Sequence, residues 1–299
     1  MPDNKLTSHL TPNSSLTSAI NSWESFLADK GRSPNTIKAF LSDVRLLTTF
    51  LPEDITLGKV TTKDLNRYFE WMEKERDVPC SPKTLARRIT ATKSMFRWLH
   101  QFGVLVVDPA EKVAQRSAIS PIPTVLTPKE VDDVLLAADR LRRGTKPDAR
   151  SYTLVYLLLT TGIKKSETLG INLEHLELDA PTGPQVFIKY ANPANRYKER
   201  KLILPEDWLP AFEEYRAQYQ PEEKLFPWSQ RRLEYLLEDI GTEAGLTKHL
   251  SFDMCRWTCA LTDFHAGVEP DQIRQKLGVS KIQWRELFNK LKQLAGSKE

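Results

Sequence analysis

Apolar residues recur at helical spacing four times in the first 115 residues and then stop in SAISPIPTVLTP (117–128), a stretch with three prolines and neither helical nor strand period. Proline lacks an amide donor and holds the residue before it in extended geometry, so the helices on either side must bury their apolar stripes separately. The sequence therefore predicts two domains, as suits a chain of 299 residues. The expected boundaries are a mobile tail at 1–15, a helical domain at 16–116, a linker at 117–126 and a second domain at 127–299.

In the first domain Leu16, Ile20, Trp23, Phe26 and Leu27 form one stripe that ends at Gly31. Ser33 and Pro34 open a second, carried by Ile37, Phe40, Leu41, Val44 and Leu47, because proline at the first helical position needs no amide partner. A third helix runs from about Thr62 through Leu65, Tyr68, Phe69 and Met72, and Ser81-Pro82 opens a fourth. The second domain starts with helices near 127–141 and 149–161, passes through strand-like runs in LEHLELDAP, QVFIKYA and KERKLILP, and returns to helices near 206–219, 229–244, 252–266, 270–277 and 281–295. The fold class is mainly α, with a four-helix N-terminal domain and a mostly helical C-terminal domain that carries one small sheet.

The formal net charge is only +4, but its distribution is uneven. Residues 1–118 hold 17 Lys and Arg against 13 Asp and Glu, whereas 119–299 hold 26 against 26. Residues 82–100 contain Lys83, Arg87, Arg88, Lys93 and Arg97 and no acid. On a helix Lys83, Arg87, Lys93 and Arg97 fall within an arc of about 120°, opposite Leu85, Ile89, Met95, Phe96 and Leu99, with Arg88 toward the packed side. An ordinary solvated face mixes signs to gain spaced ion pairs, so an acid-free one points to phosphate. No apolar run is long enough for a membrane span, and the N-terminus does not read as a signal peptide. With Cys80, Cys255 and Cys259 as the only cysteines, a reducing cytoplasmic setting is expected, at the nucleoid if the source is bacterial.

An ordered series of segments in the second domain resembles the tyrosine recombinases, the family of phage integrases and Xer-type chromosome-dimer recombinases. TGIKKSETLGI (161–171) is similar to the family's Thr-Gly-Leu-Arg segment and Ser-Glu-Leu helix, with Gly162 and Glu167 matching; KERKLILP (198–205) is similar to its Lys-Glu-Arg strand. CRWTCA (255–260) is similar to the segment around its second arginine, and AGVEPDQIRQKLGVSKI (266–282) to its Ala-Gly, Leu-Gly-His and Ser-Ser-Ile series. SPNTIKAFLSDVRLLTTFL and SPKTLARRITATKSMFRWL resemble the SAM-like core-binding domain. The resemblance implies a recombinase catalytic-type C-terminal domain and a protein that closes around duplex DNA.

The same resemblance implies where catalysis would reside, and there the chain departs from the pattern. The family cuts DNA with a tyrosine assisted by two arginines, a lysine and two His or Trp positions. The first arginine falls on Lys164, which keeps a charge but lacks the planar fork that grips two oxygens. The lysine falls near Asn195, with Lys189 or Lys198 as replacements; the first histidine falls on Asp253, an acid that repels phosphate. Arg256 matches, the later histidine falls on Val279, and the nucleophile falls on Phe288, more than fifty residues after the last tyrosine, Tyr235. Transition-state donors are each worth roughly 3–4 kcal/mol, so their loss slows cleavage by many orders of magnitude even if another group attacks.

The expectation is a DNA-binding, non-cleaving accessory or regulatory factor in recombination or integration, with Lys83, Arg87, Lys93, Arg97, Lys164, Lys198, Arg200 and Arg256 at the DNA. The expected partners are double-stranded DNA and a second copy or a related active recombinase; no membrane, metal or small-molecule cofactor is expected. Two alternatives stay open: an active recombinase with an unrecognised nucleophile, and a protein-interaction module derived from the fold. His249, Cys255, Cys259 and His265 match no common zinc spacing, and Trp257 and Trp284 read as core. Ser166 and His175 form no nucleophile elbow, and no glycine-rich phosphate loop occurs.

Overall fold

The computed structural model describes residues 7, 9–116 and 121–296. The chain divides into two compact units, Met1–Pro121 and Ile122–Glu299. In the first, α1 (Leu16–Asp29), α2 (Pro34–Phe50), α3 (Thr62–Lys74) and α4 (Pro82–Gln101) follow in order. Three of them begin on a serine: Ser15, Ser33 and Ser81 accept from the amides of Ser18, Thr36 and Thr84. Thr61 and Asp64 form a capping box on α3. Trp23, Val44, Leu47, Tyr68, Met72, Ile89, Phe96 and Leu99 meet in the core.

The second unit opens with α5 (Pro128–Arg143) and α6 (Arg150–Thr161), and a short α7 (Lys165–Thr168) leads to the sheet. Strands β1 (Leu176–Glu177), β2 (Gln185–Ile188) and β3 (Arg200–Ile203) are antiparallel in the order β1-β2-β3, with Val186 opposite both Leu176 and Leu202. Helices α8 (Leu209–Tyr219), α9 (Gln230–Glu243), α10 (Phe252–His265), α11 (Pro270–Lys276) and α12 (Lys281–Gly296) complete it. Leu154, Leu157, Val186, Trp208, Phe212 and Leu237 centre its main core. A satellite of Ala260, Ile273, Leu277, Val279 and Leu291 joins α10, α11 and α12, with Trp284 and Phe288 against it.

Two expectations are corrected. The tail at 1–15 is not free along its length, since Leu10 is buried, Gly58 and Leu57 donate to the carbonyls of Pro12 and Ser14 at 2.7 and 3.0 Å, and Ser15 bridges to Thr56. Its partner lies about forty positions away, so no local period announces it. Residues 1–6 and 8 lie outside the described residues. The linker at 117–126 ends earlier than expected: Leu126 is buried and donates to Thr258 Oγ1 at 2.9 Å, and the Val125 carbonyl accepts from Lys248 at 2.6 Å. Residues 117–120 lie outside the described residues.

Candidate functional site

In the first unit the basic helix is α4, and its packed face supplies Leu85, Ile89, Met95, Phe96 and Leu99 to the core. The cations opposite have unequal freedom. Lys83 and Arg97 are exposed. Arg87 is exposed but reaches Asp43 Oδ1 at 3.1 Å, while Arg88 lies almost buried on the same oxygen at 3.4 Å. Lys93 is turned inward: its ammonium donates to the carbonyls of Glu111 and Val113 at 3.1 and 2.6 Å. Gln115 continues this strap by donating to the Ala86 carbonyl and Thr90 Oγ1. Lys93 is thus engaged within the fold, a departure from its expected place on the open stripe, and Lys83, Arg87 and Arg97 are left there.

In the second unit three of the candidates, Lys164, Asp253 and Arg256, line a recess of about 470 Å³ together with Lys165, Glu234, His249, Leu250, Ser251 and Phe252. Gly162 ends α6 in left-handed geometry at φ +60°, where an added Cβ would lie 2.9 Å from Leu277. The turn places Lys164 at the start of α7, its amide donating to Glu167 Oε2 at 2.8 Å and its ammonium to the Gly278 carbonyl at 3.1 Å. Arg256, from α10, is buried and donates to the carbonyls of Gly162 and Leu277. It ties the α6 turn to the α11 terminus while still lining the recess. Asp253 is exposed at the start of α10, and Lys165 pairs with Glu234 at 2.7 Å.

Behind Lys164 lies a buried ion network. Glu167 accepts from both Arg200 nitrogens at 3.1 and 3.0 Å and from the Tyr190 hydroxyl. Arg200 also donates to the Lys276 and Lys198 carbonyls at 2.6 and 3.1 Å. Burial raises the Glu167 carboxyl, but the hydrogen bonds and charge of Arg200, with the Lys164 amide and Tyr190, outweigh it and hold the group at about 2. Lys164 moves the other way: burial, reinforced by Arg256, Arg200 and Lys198, brings it down to about 8 against the pull of Glu167. Arg200, expected at a phosphate, is therefore corrected to an internal counter-ion whose side chain is 10% exposed.

Of the lysines weighed for the strand turn, Lys198 presses electrostatically on Lys164 and donates to Asn195 Oδ1 at 2.9 Å. Lys189 acts instead on His175. Val279 is buried in the satellite core. Phe288 stacks on Trp284 at 5.4 Å and meets Phe264 edge-on at 6.0 Å, which explains an aromatic ring on this face of α12. Sequence reasoning missed Asp43, an acid hidden in a helical stripe, and the exposed Arg231 and Arg232 that open α9 beside Glu234. Among the described residues no cluster of His, Cys, Asp or Glu is arranged to hold a metal ion, and no helix is long and apolar enough to cross a membrane.

Residues 20–103 match the family model of the phage integrase N-terminal SAM-like domain, and residues 124–292 match that of the phage integrase family. The chain is 30% identical over 165 residues to tyrosine recombinase XerC of Mycobacterium sp. (strain JLS), which covers 54% of each protein, so it spans about half the length of that relative. It is 23% identical over 289 residues to tyrosine recombinase XerD of Listeria innocua, covering 90% of this chain and 92% of the relative. Among solved structures, XerH site-specific recombinase bound to palindromic difH substrate in a post-cleavage complex superposes with a TM-score of 0.73 at 16% identity, over 93% of this chain and 81% of the other. A lambda integrase dimer bound to a COC′ core site gives 0.72 at 13% identity, over 99% and 81%. At these identities the two structures establish a shared fold.

Proposed function

The chain belongs to the phage integrase family of tyrosine recombinases, and from that premise we propose that it binds double-stranded DNA without cutting it, as an accessory or regulatory factor in recombination. The observation that carries this reading is Phe288. It stands where the resemblance puts the nucleophile, has no hydroxyl, and is held between Trp284 and Phe264 in the satellite core. At the recess Lys164 replaces a fork with a point charge and Asp253 adds repulsion, and Val279, buried in the satellite core, has no side-chain donor. Arg256 and Lys164 each donate to backbone carbonyls, so what they offer a phosphate is charge with few free donors.

Binding itself rests on the open stripe of α4, on Lys164 and Lys198, and on Arg231 and Arg232 at the start of α9. The lambda integrase dimer and XerH, both bound to DNA and of the same fold, support a duplex as the ligand, and the dimer supports a second copy as a partner; a related active recombinase is the other partner of this reading. The test pairs two assays. A labelled mixed-sequence duplex should form a reversible complex, and a nicked suicide substrate should leave no covalent adduct after denaturation; a covalent adduct would make the protein an active recombinase. Lys83→Ala and Arg97→Ala should each reduce the slope of log affinity against log salt by about 0.9, and unchanged slopes would remove α4 from the interface.

A further inference from the structure

We propose that Asp43, a buried carboxylate on α2, is a positioning residue that holds the Arg87 guanidinium ready for a DNA phosphate. The proposal rests on the reading of α4 as a DNA-facing helix and adds to it a residue that never touches the duplex. The Asp43 side chain is 2% exposed, whereas Arg87, ion-paired with it, is 43% exposed. One carboxylate oxygen, Oδ1, serves both Arg87 Nη2 at 3.1 Å and Arg88 Nε at 3.4 Å. The other, Oδ2, is buried with no hydrogen-bond partner.

A buried acid is costly unless paired, and Arg88 already pairs it. The Arg88 side chain is only 12% exposed, its Nη1 directed at the sulfurs of Met72 and Cys80 at 3.1 and 3.0 Å. Tyr68 on α3 donates to the Asp43 carbonyl at 3.2 Å, which fixes this stretch of α2. Arg88 thus meets the need of the interior. The adjacent Arg87 draws on the same oxygen from the solvent side. Two guanidiniums against one carboxylate leave the cluster with a net positive charge, so the buried acid does not cancel attraction for phosphate.

An unheld arginine gives up rotamer freedom when it grips an anion, and prior anchoring of one edge removes part of that cost. With Nη2 paired to the carboxylate, the rest of the planar group can face a phosphate oxygen, a geometry that a lysine at this position cannot reproduce.

The test is a double-mutant cycle on the full chain, with a fluorescein-labelled mixed-sequence duplex and anisotropy at fixed salt. Arg87→Ala should weaken binding by about tenfold. Asp43→Asn should weaken it by roughly threefold to fivefold in the native background and leave it unchanged in the Arg87→Ala background. Equal losses in both backgrounds would mean that Asp43 acts only through the fold, and the proposal would fall. Arg87→Lys, which leaves the buried Asp43 and Arg88 pair in place, should lose most of the affinity that Arg87→Ala loses; native affinity in that variant would overturn the proposal. An Arg87→Ala variant that binds as the native chain does would also overturn it, while Lys83→Ala and Arg97→Ala report separately on whether α4 meets DNA.

Discussion

At Lys164 the charge depends on pH close to neutrality. Burial, helped by Arg256, Arg200 and Lys198, places the ammonium at about 8, below the ordinary lysine value of 10.5. A lysine depressed on folding costs stability while charged: the penalty is full below about 8 and is relieved as pH rises from there toward the unfolded value. The electrostatic hold on a phosphate runs the opposite way and fades as pH rises through about 8. Lys164→Arg keeps its charge throughout, so its duplex affinity should stay flat from about pH 7 to about pH 9 where the native affinity declines. Parallel declines in both proteins would show that the Lys164 charge does not contribute. Lys164 and Arg256 were legible as motif positions, but not the carbonyls of Gly278, Gly162 and Leu277 that engage them. Those partners are 21 to 114 positions away, beyond any local period.

Element boundaries followed from chemistry that is local. A hydroxyl residue and a proline open α2, α4 and α5 at Ser33-Pro34, Ser81-Pro82 and Thr127-Pro128, because the hydroxyl satisfies an orphan amide and proline has none to satisfy. What an element does with its charges was less legible. Arg200 on β3 and Arg87 on α4 both read as exposed cations. Arg200 is drawn inward because α7 brings Glu167 beneath it and Gly278, after α11, leaves room. An alanine Cβ at Gly278 would collide with Arg200 Nη1, at a φ of +59° that L-residues rarely adopt. Gly278→Ala should therefore pull Arg200 from Glu167 and cost about 3 kcal/mol, read from denaturant unfolding. A midpoint equal to the native one would show that the network tolerates the shift.

Across the whole molecule two units each own a core, one built on Trp23, Tyr68 and Phe96 and the other on Leu157, Trp208 and Phe212. Each unit expressed alone should therefore melt cooperatively, as followed by circular dichroism. A unit that shows no cooperative transition would mean that its core is insufficient without the other. Amphipathic period, hydroxyl-proline caps and the acid-free run at 82–100 were enough to determine helix positions and the helix that carries the basic face, since each depends on neighbours within a few turns. Which cations remain open was decided only by tertiary structure. Lys93 is claimed by the 111–113 strap, Arg200 by Glu167, and Arg87 is held at its edge by Asp43. A charge is written in the sequence, but its freedom depends on carbonyls and carboxylates that distant segments bring beside it.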